Sequence, residues 1–204
     1  MDKKVMIGII AVVAVVAIVA VAVVMMNNNN SDPSRDGTVI AIKPTFSVGD
    51  TQVMHMEGNM GGLIISEDAT IEIIAVNEDK SYQVKIPDDY EEEPVVKTMT
   101  WKEISDEIAP SIDELNKKIK EETGKDIKLQ KTGTETLKTI FGDIKCDKYE
   151  VNYLESGASA KYAIYLDTVS GIVLKLDAEV SLGELGSFTM HETLKDSKLI
   201  GVIN

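Results

Sequence analysis

The apolar positions of this chain change period three times. Val5 to Met26 (VMIGIIAVVAVVAIVAVAVVMM) is 22 residues with no charge and no polar face. At 1.5 Å per residue it forms a helix of roughly 33 Å, enough to cross a hydrocarbon core of about 30 Å. From Thr38 the runs shorten and alternate, which predicts strands at Thr38–Ile42, around Val53, and at Ile71–Val76 and Ser81–Ile86. Asn77 to Lys80 is turn chemistry, so the last two form a hairpin.

In the middle the period becomes helical. Thr100-Trp101-Lys102-Glu103 and Ser111-Ile112-Asp113-Glu114 both fit the capping box, in which a hydroxyl and a carboxylate satisfy free amides at a helix start. Trp101, Ile104 and Ile108 fall on one face of a first helix, and Ile112, Leu115 and Ile119 on one face of a second. Pro110 separates them. Asp113–Lys117 and Glu114–Lys118 have the favourable i,i+4 order, and Gly124 provides a left-handed stop.

Alternation then returns at Asp126–Gln130, Glu135–Phe141, Ile144–Leu154, Ala160–Leu166, Ile172–Val180 and Ser187–Leu194. Turns are expected at Thr132-Gly133, Gly142-Asp143, Glu155 to Gly157, Asp167 to Gly171 and Gly183 to Gly186. Strands, helices and strands again predict an α+β domain: an antiparallel sheet with an inserted helix pair covering one face.

The flanks of the apolar run orient it. Lys3 and Lys4 precede it and Asn27 to Asn30 follow, so the positive-inside rule leaves the N-terminus in the cytoplasm and exports the rest. The expectation is a single-pass protein of the cell membrane: cytoplasmic stub and anchor at 1–26, flexible linker at 27–37, extracellular domain at 38–204. Ala20-Val21-Ala22 has the form of a signal-peptide cleavage site, but the apolar run continues past it to Met26, which favours an uncleaved anchor. No cysteine is placed for a lipid anchor. Asn29-Asn30-Ser31 matches a glycan acceptor pattern at Asn29, although asparagine runs produce that pattern by chance.

Charge narrows the partners. The chain holds 34 acidic and 21 basic residues; without Asp2, Lys3 and Lys4 these become 33 and 19, a net charge of −14 on the exported part. Such a surface repels nucleic acid, and Arg35 is the only arginine, so nucleic-acid binding is set aside. Cys146 is the only cysteine and can form no internal bridge. Between Lys145 and Asp147 in an alternating stretch, it reads as a small buried hydrophobe.

Candidate chemistry is sparse. Met54-His55-Met56, with Met60 nearby, offers ligand types that soft copper ions prefer. In a strand, however, Met54 and Met56 share one face and His55 points to the other. With Gly58-Asn59 as a hairpin turn, Glu57 would lie opposite Met60 and Met54 opposite Leu63, making Met54, Met56, Leu63 and Ile65 core. A metal site then requires His191, in Met190-His191-Glu192, to come alongside His55. Asp88 to Glu93, between Pro87 and Pro94, is acidic but lacks the alternating spacing of a calcium loop.

No catalytic residue or cofactor is expected. There is no G-x-S-x-G elbow and no H-E-x-x-H, Ser156 and Ser159 sit in a predicted turn, and Gly183 to Gly186 lacks the lysine and helix of a phosphate loop.

Residues 162–177, YAIYLDTVSGIVLKLD, are a strand ending in Asp, a short turn closing on Gly, and an apolar strand. This resembles the hairpin of lipoprotein-carrier-like (LolA/LolB-like) proteins. The layout of poly-valine anchor, asparagine spacer and β-rich domain also resembles uncharacterised archaeal membrane-anchored surface proteins. The carrier resemblance implies a curved sheet cradling helices and accepting an acyl chain or isoprenoid; it transfers no ligand-contacting residue. Three functions follow as expectations: a non-catalytic module for an apolar ligand, an interaction module for an envelope protein, or a copper-binding surface protein through Met54, His55, Met56 and His191.

Overall fold

The computed structural model describes residues 38–203, apart from 61, 88–93, 156–157, 182 and 184–185. Val5–Met26, Asn29, Asp88–Glu93 and Ser156 therefore lie outside the described residues. Among those described, no helix is long and apolar enough to cross a membrane.

Among the described residues, eleven strands and two helices follow in the order β1 (Val39–Ile42), β2 (Thr51–Met60), β3 (Leu63–Val76), β4 (Tyr82–Ile86), β5 (Val95–Met99), α1 (Trp101–Ile108), α2 (Ile112–Thr123), β6 (Gln130–Thr139), β7 (Gly142–Glu155), β8 (Ala158–Asp167), β9 (Val173–Ser181), β10 (Ser187–Ser197) and β11 (Ile200–Ile203). Nine strands form one antiparallel sheet, ordered β5-β4-β3-β2-β10-β9-β8-β7-β6, while β1 and β11 pair separately. The class is α+β, as the alternation predicted.

The two meanders meet where β2 pairs with β10, so β5 and β6 become opposite edges. At a strand spacing of about 4.8 Å those edges are roughly 38 Å apart. The chain between them, α1 and α2, has to cross the sheet, which is why it buries apolar side chains against it. Ile104 and Ile108 of α1 pack with Ile73, Val84, Met99 and Leu194, and Leu115 and Ile119 of α2 pack with Tyr162, Ile164, Leu176 and Met190.

The helix ends form by local chemistry. Thr100 accepts from the Glu103 amide at 3.2 Å while Glu103 Oε2 accepts from the Thr100 amide at 2.6 Å. Ser111 accepts from the Glu114 amide, and Gly124 ends α2 at φ 68°. Lys117 pairs with Glu121 at 3.6 Å, an i,i+4 contact one turn further along than the sequence suggested.

Several strand boundaries differ from expectation. Residues 126–129 are not a strand, because the Leu129 amide is taken by Asn116 Oδ1 of α2 at 2.7 Å. Thr132-Gly133 is a bulge inside β6 rather than a turn: pairing with β7 resumes on both sides, with a register shift between Lys131 and Gly133. The following turn is Ile140-Phe141, and Gly142 opens β7 at φ 109°. Strands β5 and β11 were not predicted. Strand β5 pairs with the preceding strand β4, and β11 with the far-off β1.

Candidate functional site

The Gly58-Asn59 turn is not formed. Strand β2 continues to Met60, which pairs with Leu63, so the hairpin closes beyond Met60 rather than at Gly58-Asn59. Gly58 sits mid-strand for a steric reason: a Cβ there would come within 2.9 Å of the Thr189 carbonyl oxygen of β10. The six-residue change in pairing sum keeps the parity of Met54 and His55 but moves every partner. Met54 now faces Ala69, His55 faces Asp68 and Glu57 faces Ser66. Leu63 ends 65% exposed and Ile65 half-buried, not core, because they lie at the protruding hairpin end.

Met54 packs against the cluster around α1 and Met56 against that around α2. His55 and Glu57 alternate to the opposite face. His191 is the direct β10 partner of Glu57, and Thr193 that of His55. The two histidines thus lie on adjacent strands, on one face, in the diagonal relation whose Cβ atoms are about 7–8 Å apart or less. The structure therefore separates the thioethers from the imidazoles and brings the imidazoles together.

Each imidazole is held in the same manner. His55 Nδ1 lies 2.6 Å from Oδ1 of Asp68, its direct partner on β3, and Lys195 Nζ lies 2.6 Å from Oδ2 of the same carboxylate. His191 Nδ1 lies 2.7 Å from Oδ1 of Asp177, its direct partner on β9, and Lys175 Nζ lies 2.7 Å from Oδ2. His55 Nε2 also reaches Glu57 Oε1 at 3.3 Å. Two Lys–Asp–His sets thus flank Glu57.

The electrostatics follow. Hydrogen bonding to Asp68, then to Glu57, raises the His55 pKa above its ordinary value of 6.5. Lys195, then His55, lower that of Asp68. Burial acts to raise the Asp177 carboxyl, but Lys175 and His191 together outweigh it and hold it below the ordinary value. The charged face continues to Tyr165, with Lys148 5.5 Å and Lys175 4.9 Å from its ring centroid.

Sequence reasoning missed Asp68, Asp177 and both lysines. A signal for the first existed: Gly61-Gly62 is itself a hairpin dipeptide, and placing the turn there makes Asp68 the partner of His55. Asp177 and His191 are 14 residues apart and meet only through the β9–β10 register.

A second feature lies at the hairpin end of β7–β10. Here an open cleft of about 520 Å³ is lined from both sheet faces, by Tyr153, Ala160, Val180 and Phe188 on the helix side and by residues including Leu154, Ser159, Lys161 and Glu179 on the other. Its lining comes from the strands alone; α1 and α2 press their apolar faces into the sheet elsewhere. Leu154 is 78% exposed beside it. The cross-strand row Tyr153–Ala160–Val180–Phe188 forms an apolar strip across four strands. Ser159 lines the same cleft.

No family model and no curated protein matches the chain. A weak structural neighbour is the crystal structure of a DUF1329 family protein from Desulfovibrio piger. It is 12% identical over 72% of this chain and 86% of that one, with a TM-score of 0.19, and at that score the likeness carries no argument.

Proposed function

We propose that this chain is a non-catalytic, extracytoplasmic binding module, held at the cell membrane by Val5–Met26, that takes an apolar, lipid-like ligand in the cleft at the end of β7–β10. The carrying observation is the cleft itself. Its volume of about 520 Å³ lies within the range of small-molecule sites, about 300–1,000 Å³, and apolar surface reaches it from half-buried Phe188 and Tyr153 on one sheet face and from exposed Leu154 on the other. A non-catalytic role is supported by Cys146, the single cysteine, which is fully buried with its thiol pushed up to about 12 by desolvation. The test is photo-crosslinking of the full chain in nanodiscs with a diazirine fatty acid. Labels should map to 152–161 and 179–189 and fall at least several-fold in Leu154→Asp and Phe188→Ser; labels confined to Val5–Met26 would refute the reading.

A second reading, an interaction module of the envelope, rests on β3. Strand β4 pairs only with Glu72–Val76, so among the described residues Leu63–Ile71 has no strand on that side. Such an edge accepts an added strand, and Ile64 there is 77% exposed. A photo-reactive residue at Ile64 should then capture a protein neighbour in cells.

A further inference from the structure

We propose that His55, Glu57 and His191 form a site for a divalent transition-metal ion of the zinc(II) type, with Asp68 and Asp177 orienting the two imidazoles. The argument begins with the sheet. Register places Glu57 directly opposite His191 and two residues from His55 on its own strand, with all three on one face, so the backbone already gathers two imidazoles and one carboxylate. This is the composition of an open zinc site with two histidines and one glutamate.

Orientation is the second argument. A metal-binding histidine generally gives its other ring nitrogen to a carboxylate, which sets the tautomer and aims the ring. Both histidines here bind an aspartate through Nδ1, at 2.6 and 2.7 Å, which leaves Nε2 as the coordinating atom in each. Lys195 and Lys175 occupy the far oxygens of those aspartates. They hold the carboxylates anionic without standing between the imidazoles.

In the arrangement described, a proton fills part of this role. His55 lies between Asp68 and Glu57, and its Nε2 donates to Glu57 Oε1 at 3.3 Å. Among the described residues no three donors already converge on one point. The side chains of Glu57 and His191 are 67% and 50% exposed, which leaves their tips room to turn toward His55. A cation in place of the shared proton would be held by these three side chains. Met54 and Met56 lie on the other face and take no part, which excludes a soft thioether site and favours a nitrogen and oxygen set.

The test is calorimetric titration of zinc chloride into the full chain in nanodiscs, run in two buffers of different ionisation enthalpy, beside histidine NMR. One ion should bind with proton release, shifting the His55 and His191 ring signals. His55→Ala, His191→Ala and Glu57→Gln should each weaken binding tenfold or more, Asp68→Asn and Asp177→Asn by about 10- to 100-fold, and the Met54→Leu, Met56→Leu pair not at all. Unchanged thermal melting of the variants separates lost ligands from lost fold. Zinc affinity unaltered in the histidine variants, binding that vanishes only when Asp88, Asp89, Glu91, Glu92 and Glu93 are neutralised, or no binding with folded protein would overturn the proposal. Fatty-acid labelling of the cleft is a separate readout, so either conclusion can fail alone.

Discussion

Asp68 and Asp177 perform the same task on strands that do not touch each other: each accepts at Oδ1 from the Nδ1 of the histidine directly across from it and at Oδ2 from a lysine. Between them lies the β2–β10 pair, the seam that joins the two meanders. The most organised polar chemistry of the described face therefore sits where distant parts of the chain are brought together.

That relationship predicts the titration of His55. Its folded-state value is raised, so its contribution to stability is fully present below about pH 6.5, the unfolded value, and is lost as pH rises through the folded value. NMR of the ring protons should show a midpoint above 6.5. Asp68→Asn should lower it more than Glu57→Gln, since Asp68 is the larger cause. Equal effects would contradict the geometry of a short contact to Asp68 and a long one to Glu57.

Glu107 predicts a trend of the same sign at lower pH. Burial in α1 raises its carboxyl from 4.5 to about 7, against the opposing pull of Lys118 and Lys97 and with the help of Asp106. The folded state thus retains a proton that the unfolded chain loses. Stability should fall as pH rises from about 4.5 to 7 and then level. Glu107→Gln removes that fall: at pH 8 it should stabilise by up to about 2–3 kcal/mol, and at pH 4 by almost nothing. Urea unfolding at the two pH values measures the difference.

Gly58→Ala should destabilise the domain by about 1–3 kcal/mol, because the new methyl meets the Thr189 carbonyl oxygen at 2.9 Å at the β2–β10 seam. Gly133→Ala is the control. Its Cβ would meet nothing within 4 Å. Its effect should stay within about 1 kcal/mol of zero, as expected where the added side chain fits the backbone. Denaturant midpoints should separate the two clearly.

Leu115→Ala and Leu154→Ala distinguish packing from the cleft. Leu115 is buried beneath α2, and its truncation should cost about 2–5 kcal/mol. Leu154 is exposed, so its loss should leave thermal unfolding within about 0.5 kcal/mol of the parent while reducing fatty-acid labelling.

How much of this was legible depends on the range of the interaction. Thr100, Ser111 and Gly124 marked the helix ends because caps are made within three or four residues. Alternation likewise assigned Met54 and Met56 to one face and His55 to the other, since strand parity needs no knowledge of a partner. Strand β11 escaped because its partner, β1, lies at the other end of the domain's sequence, whereas β5, VVKTM, pairs with the preceding β4 but is short and carries little alternation of its own. The hairpin was misplaced because Gly58-Asn59 and Gly61-Gly62 are both acceptable turns locally.

The sequence by itself determined the α+β order, the helix limits, the acidic surface and which residues share a strand face; all depend on local stereochemistry or on a sum of charges. Tertiary structure alone decided that β2 lies against β10, that Asp68 and Asp177 hold the two histidines, and that the hairpin end of β7–β10 leaves an apolar cleft. Those outcomes depend on register. A shift of the turn by a few residues changes every cross-strand partner while leaving the alternation of each strand unaltered.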